Sequence, residues 1–138
     1  MANQTIQGSG FHHVAIRTHD FEASLRFYIQ GLGFSQKIAW GEAPSRAVML
    51  DTGDGNYLEV FEREGVPAET TGEANILHFA LRCADCEAAT EIARAAGAKV
   101  TMEPKVPDVF THMGQAAKIS FVQGPDGEVV EFFESGGL

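Results

Sequence analysis

The sequence predicts an α+β fold: two βαβββ modules whose strands form a curved mixed sheet around a cleft. Two repeats carry that prediction. Phe11-His12-His13-Val14-Ala15-Ile16-Arg17-Thr18-His19-Asp20 returns as Leu77-His78-Phe79-Ala80-Leu81-Arg82-Cys83-Ala84-Asp85, matching His13 to His78, Ala15 to Ala80, Arg17 to Arg82 and Asp20 to Asp85 at an offset of 65. Asp54-Gly55-Asn56-Tyr57-Leu58-Glu59-Val60-Phe61-Glu62 returns as Asp126-Gly127-Glu128-Val129-Val130-Glu131-Phe132-Phe133-Glu134 at an offset of 72. Each half therefore opens on a histidine strand and closes on a glutamate strand. Internal repetition of this kind marks a structural unit used twice.

In order along the chain, residues 1–10 are polar and glycine-containing and read as a flexible arm. Residues 11–138 read as one domain, with module 1 over about 11–63 and module 2 over about 76–135. Residues 11–18 alternate and favour β-branched and aromatic types, as a strand does. Asp20 stands where a helix N-cap belongs, its carboxylate able to accept a free N–H. Phe21, Leu25, Tyr28 and Ile29 recur at helical spacing. Gly31 and Gly33 are expected to end that helix, since glycine takes the left-handed C-cap at little steric cost. Strands are then expected over 34–40, 46–51 and 56–62, the last two joined by a turn containing the Asp54-Gly55 hairpin signal.

Residues 64–73, with Gly65 and Pro67, read as the linker between halves. The order then recurs. A strand over 76–82 leads to an N-cap at Asp85 and a helix over 86–96 closed by Gly97. A strand over 98–102 follows, and Pro104 and Pro107 make the next stretch too proline-rich for a central strand. Strands over 118–123 and 128–134 finish the chain as a hairpin around Gly124-Pro125-Asp126-Gly127.

Composition narrows the partners. Nineteen acids stand against ten lysines and arginines, for a net charge of −9. No basic run is present to neutralise phosphates, which argues against nucleic acid. No apolar stretch approaches the length of a membrane span, and the N-terminus has no signal-peptide pattern, so a cytoplasmic location is the default expectation. Two cysteines do not make a disulfide scaffold.

The chemistry lies in the repeated strands. Side chains alternate faces along a strand, so His13 shares a face with Ala15 and Arg17, and His78 with Ala80 and Arg82. Glu59 likewise sits between Tyr57 and Phe61, and Glu131 between Val129 and Phe133. Two histidines and two glutamates placed by one symmetry form a candidate metal site, with small or apolar neighbours suited to a dry cavity floor. Arg17 and Arg82 are candidate substrate anchors, because guanidinium binds both oxygens of a carboxylate; a structural ion pair is the equal alternative. His12 faces the other way and reads as a packing or surface residue. His19 and His112 receive no role. Cys83-Ala84-Asp85-Cys86 lacks redox-motif flanks and reads as structural. Trp40, Phe61, Phe133 and Met113 read as core, with cleft lining as the alternative. Glu62, Glu64 and Glu134 read as solvated edge charge.

From Phe11 to the end the chain resembles the vicinal oxygen chelate superfamily, and within it the glyoxalase I (lactoylglutathione lyase) type. The marks are His13-Val14-Ala15-Ile16 with Asp20, Ser24-Leu25-Arg26-Phe27-Tyr28, Leu32-Gly33-Phe34, Leu58-Glu59-Val60, His78-Phe79-Ala80-Leu81, and Pro125-Asp126-Gly127 before Val130-Glu131-Phe132. The resemblance implies that His13, Glu59, His78 and Glu131 bind one divalent metal, leaving positions for water or substrate. Imidazole with carboxylate suits Ni, Zn, Co, Mn or Fe. It implies a homodimer with sites shared between chains, and a metal-dependent isomerase or lyase acting on a small molecule with vicinal oxygens. It favours Glu131 as the catalytic base with Glu59 its counterpart; the sequence by itself does not distinguish them.

Departures bear on substrate. Arg17 matches an arginine that the family uses to hold glutathione, but Arg63 stands where an asparagine is expected and Met102 where a lysine usually is. The resemblance thus carries isomerase-type chemistry further than it carries the methylglyoxal–glutathione hemithioacetal as substrate. A metal-dependent dioxygenase or thiol transferase of the superfamily would use two histidines and one glutamate, and Glu59 argues against both. A drug-binding protein of the bleomycin-resistance type generally lacks the ligands altogether.

Overall fold

A computed structural model describes residues 11, 13–63, 78–112 and 116–135. The arm at 1–10, His12, Glu64 and the linker, Ile76, Leu77 and Met113 lie outside the described residues. The first half runs β1 (His13–Thr18), α1 (Phe21–Leu25) continued as a π-helical stretch (Arg26–Gly31), β2 (Ser35–Trp40), β3 (Ala47–Asp51) and β4 (Tyr57–Glu62). The second runs β5 (Phe79–Arg82), α2 (Cys86–Ala95), β6 (Lys99–Lys105), α3 (Asp108–His112), β7 (Ala117–Gln123) and β8 (Val129–Ser135). The expected pair of modules is present, each with its own four-stranded mixed sheet, ordered β1-β4-β3-β2 and β5-β8-β7-β6. No helix among the described residues is long and apolar enough to cross a membrane.

The repeat is a repeat of geometry. β1 pairs in parallel with β4 and places Ala15 opposite Glu59; β5 pairs in parallel with β8 and places Ala80 opposite Glu131. Both helices begin the same way: Asp20 accepts from the Ala23 N–H at 2.9 Å and Asp85 from the Ala88 N–H at 2.9 Å. Each cap satisfies one of the free donors of a first turn, a contribution of about 1 kcal/mol.

Alternation decides which face of each sheet is buried. Val14, Ile16 and Thr18 of β1 turn inward with Val48, Leu50, Leu58 and Val60, and Phe21, Phe27, Tyr28 and Phe34 cover them from the helix side. In the second half Val122, Val130 and Phe132 pack against Cys86, Ala93 and Ala98. These residues form one continuous apolar cluster, so the helices of the two halves share a core. Gly31 is part of that joint. A Cβ there would lie 2.6 Å from the Ala96 Cβ, so its role is close approach of two helices. The left-handed exit expected of both glycines belongs to Gly33, at φ 79°.

Two readings of the second half change. β6 extends to Lys105 and includes Pro104, where the prolines had suggested a loop from 103 onward. β6 is the edge of its sheet, where a missing N–H costs no ladder bond. The stretch after it, expected as loop, contains α3, opened by Pro107, whose carbonyl accepts from the N–H groups of Phe110 and Thr111. Glu62 and Glu134 are also not solvated edge charges. Glu62 grips Arg46 through both carboxylate oxygens, at 2.7 and 2.8 Å, which holds its carboxyl below the usual range. Glu134 accepts from the Cys86 N–H at 2.7 Å.

Polar contacts tie the halves together at the strand–helix junction of the first. Asp126, in the β7–β8 turn, accepts from the His19 backbone N–H at 2.8 Å, contacts His19 Nδ1, and hydrogen-bonds the Ser24 hydroxyl at 3.2 Å. The Tyr28 hydroxyl donates to Glu128 Oε1 at 2.5 Å.

Candidate metal centre

The helix-backed sheets leave their opposite faces open, and those faces carry the candidate ligands. On the first sheet the parallel register sets His13, Ala15 and Arg17 against Tyr57, Glu59 and Phe61. His13 Nε2 lies 3.5 Å from Glu59 Oε2. On the second sheet His78 Nε2 lies 3.0 Å from Glu131 Oε2. Two ligands held at about 2.1 Å on neighbouring vertices of one ion are themselves about 3 Å apart. Each His–Glu pair therefore has the spacing that two ligands of one metal require, and an imidazole nitrogen with a carboxylate oxygen is a fitting donor set.

The four residues do not meet within one chain. Among the described residues, the groups of three or more side chains whose ligand atoms all lie within 4.8 Å include none drawn from His13, Glu59, His78 and Glu131. The group that does meet this criterion is Asp85, Glu87 and Glu134, and helix capping accounts for it. Asp85 caps Ala88, Glu134 accepts from Cys86, and Glu87 pairs with Lys118 at 2.9 Å. Each half of the chain thus brings together one histidine and one glutamate.

The floors of these half-sites differ from the dry cavity expected. His13 keeps 40% of its side chain exposed and His78 36%, and Ala15, Arg17, Ala80 and Arg82 are exposed as well. Only Glu131 is buried, at 7% exposure. Burial pushes its carboxyl above the usual carboxylate range, while His78 pulls the other way. A second surface would have to cover these faces to exclude water. Arg17 lies opposite Phe61 and Arg82 opposite Phe133, one step beyond each carboxylate. Arg82 also contributes, after Asn56 and Thr52, to holding Asp54 below its usual range.

Several residues near the candidate ligands had no role, or a different leading one, in the sequence reading. The Phe121 ring packs edge-on to the His78 imidazole at 5.2 Å and stands opposite Glu131 in the β7–β8 register. Counting back from the Gly124–Gly127 turn would have found it. Phe110 of α3 meets Phe133 at 5.7 Å. Trp40 and Phe61, read as core with cleft lining as the alternative, face outward on the open sheet with rings 6.0 Å apart. His19 turns out to anchor Asp126, a contact across 107 residues that no local pattern signals. The cysteines fit their structural reading. Cys86 is fully buried, and burial with the neighbouring Cys86 pushes the Cys83 thiol up to about 11, far from a reactive thiolate.

The chain as a whole is similar to known proteins. Residues 10–132 match the family described as Glyoxalase/Bleomycin resistance protein/Dioxygenase superfamily. A protein of Vibrio cholerae named "Probable lactoylglutathione lyase" is 32% identical over 129 residues, covering 89% of this chain and 88% of its own. Among solved structures, the glyoxalase family protein from Enterococcus faecalis superposes with a TM-score of 0.76 at 26% identity, covering 94% of this chain and 100% of that one. The trypanothione-dependent glyoxalase I of Leishmania major shares the fold, with a TM-score of 0.70 at 22% identity over 92% of this chain and 87% of that one. With the family pattern spanning nearly the whole chain and the paired βαβββ fold beneath it, this protein belongs to the glyoxalase/bleomycin resistance protein/dioxygenase superfamily.

Proposed function

We propose that the protein is a metal-dependent isomerase or lyase of the glyoxalase I type, acting on a small substrate with two neighbouring oxygens. The observation that carries this reading is the matched pair of His–Glu contacts, His13–Glu59 at 3.5 Å and His78–Glu131 at 3.0 Å, at equivalent positions of the two modules. The Vibrio cholerae relative's name supports the same class of reaction. His13, Glu59, His78 and Glu131 would hold one divalent ion, which when bound acts as a Lewis acid on the substrate oxygens.

The chain's own groups do the rest. Glu131 removes the carbon-bound proton at a carboxylate oxygen and returns it to the neighbouring carbon; its burial favours it over Glu59 for that role. Arg17 and Arg82 hold an anionic tail. Arg17 stands four residues along the strand from His13, about 13 Å at 3.3 Å per residue, which suits a substrate longer than a bare dicarbonyl. Because each half offers only two donors, the complete site is shared in a homodimer, with His13 and Glu59 from one protomer and His78 and Glu131 from its partner across a two-fold interface.

Elemental analysis tests the metal. Purified protein should carry about one divalent ion per protomer, and His13→Ala or His78→Ala should lose it, because removing a ligand leaves too few donors to hold the ion. Full occupancy in both variants would sink the four-ligand assignment. A mixture tests the sharing: His13→Ala and Glu131→Ala chains combined should form heterodimers that regain one intact site. Heterodimers that stay inactive would assign each site to a single chain.

A further inference from the structure

The aromatic residues of the open faces are placed by the same repeat that places the ligands. Phe61 follows Glu59 by two residues and Phe133 follows Glu131 by two, so each ring lies about 7 Å beyond a carboxylate on the same face. Each has an edge-to-face partner from elsewhere in its sheet's half: Trp40 for Phe61 at 6.0 Å and Phe110 for Phe133 at 5.7 Å. Ordinary core packing does not explain them, since none of the four belongs to the apolar cluster beneath the sheets. Trp40 and Phe61 remain 42% and 36% exposed, with Ile38 beside them at 54%. Ala47, opposite both Trp40 and Phe61 in the register, keeps the floor between the two rings low. Large apolar groups left in water beside convergent polar ligands mark a binding surface.

We infer that the site selects substrates carrying an aromatic substituent next to their vicinal oxygens, with Trp40 and Phe61 as specificity-determining residues and Phe133 with Phe110 as their counterparts. The inference rests on the metal-centre reading above and adds the substrate class to it. A planar ring entering between edge-to-face pairs gains stacking as well as burial, which a methyl group cannot. The shape therefore discriminates against a small aliphatic dicarbonyl.

Two hydroxamates test this, because both present the same pair of vicinal oxygens and differ only in phenyl against methyl. Trp40 is the single tryptophan of the chain, so its emission reports occupancy of this face without any turnover. In nickel-loaded protein, benzohydroxamate should change that emission saturably and bind about tenfold tighter than acetohydroxamate. By calorimetry, Phe61→Ala should bring the two affinities within about threefold, and Phe61→Leu, which keeps apolar bulk without a ring, should fall between. Equal binding of both probes by the wild type, or an unchanged ratio in Phe61→Ala and Phe61→Leu, overturns the inference and leaves the metal centre standing. Trp40 emission that responds to dissociation of a dimer but to neither probe assigns the face to a second copy, and overturns it too. If neither hydroxamate binds protein that holds nickel, the metal-centre reading fails first and the inference fails with it.

Discussion

Tyr28 and Glu128, 100 residues apart in the chain, meet through a hydrogen bond of 2.5 Å between the hydroxyl and Oε1. The bond joins the helix of the first half to the start of β8, the strand that carries Glu131. Glu128 Oε2 accepts the Asp126 N–H at 2.8 Å, and Asp126 in turn holds His19 and Ser24. The position of β8 in one half is therefore held by side chains of the other.

Tyr28→Phe keeps the ring, which is fully buried, and removes only the donor. It leaves Glu128 Oε1 without its partner, so it should cost about 1–3 kcal/mol of stability. Thermal denaturation against wild type measures it. A change under about 0.5 kcal/mol would mean that water replaces the hydroxyl freely.

The same carboxylate sets a pH dependence. Burial pushes the Glu128 carboxyl above its ordinary value of 4.5, and its hydrogen bonds with Tyr28, its own N–H and Asp126 offset only part of the shift. An acid whose folded value is raised keeps its proton in the native state after the unfolded chain has lost it. Stability from this group is thus greatest below 4.5 and declines as pH rises through the raised value. Glu128→Gln removes that slope. The difference in Tm, wild type minus variant, should grow on acidification from pH 7 to pH 4; a shrinking difference would reverse the assignment.

The Phe121 ring packs edge-on against the His78 imidazole. Phe121→Ala should raise the metal dissociation constant roughly tenfold, the scale of losing an outer-sphere support. Competition with a chromogenic chelator reads this directly. An unchanged constant would show that Glu131 alone orients the imidazole.

Turnover of the methylglyoxal–glutathione hemithioacetal should be weak. Arg63 and Met102 replace two expected glutathione contacts, and the aromatic pairs suit a larger substituent. Thioester formation followed spectrophotometrically with nickel- and zinc-loaded protein should give kcat/KM well below about 10⁶ M⁻¹s⁻¹. A value at or above that level would make this an efficient glyoxalase I for that substrate.

The sequence alone carried the modular plan, because a strand's two-residue period and a helix's cap chemistry are local. Asp20 and Asp85 cap as their spacing demands, and the repeat offsets set equivalent strands in the two halves, whose pairing of Ala15 with Glu59 and of Ala80 with Glu131 the structure supplied. The candidate ligands His13, Glu59, His78 and Glu131 stood out for the same reason: one symmetry places them, and symmetry is visible in a string of letters. What sequence could not supply is anything set by distance across the fold. Only tertiary structure decided that these side chains pair two by two, His13 with Glu59 and His78 with Glu131, and that β6 is an edge able to carry Pro104. Only it turned Trp40 and Phe61 away from the core and tied His19 to Asp126. Local preference fixes which way a side chain points along its own element, but burial depends on what arrives from a hundred residues away.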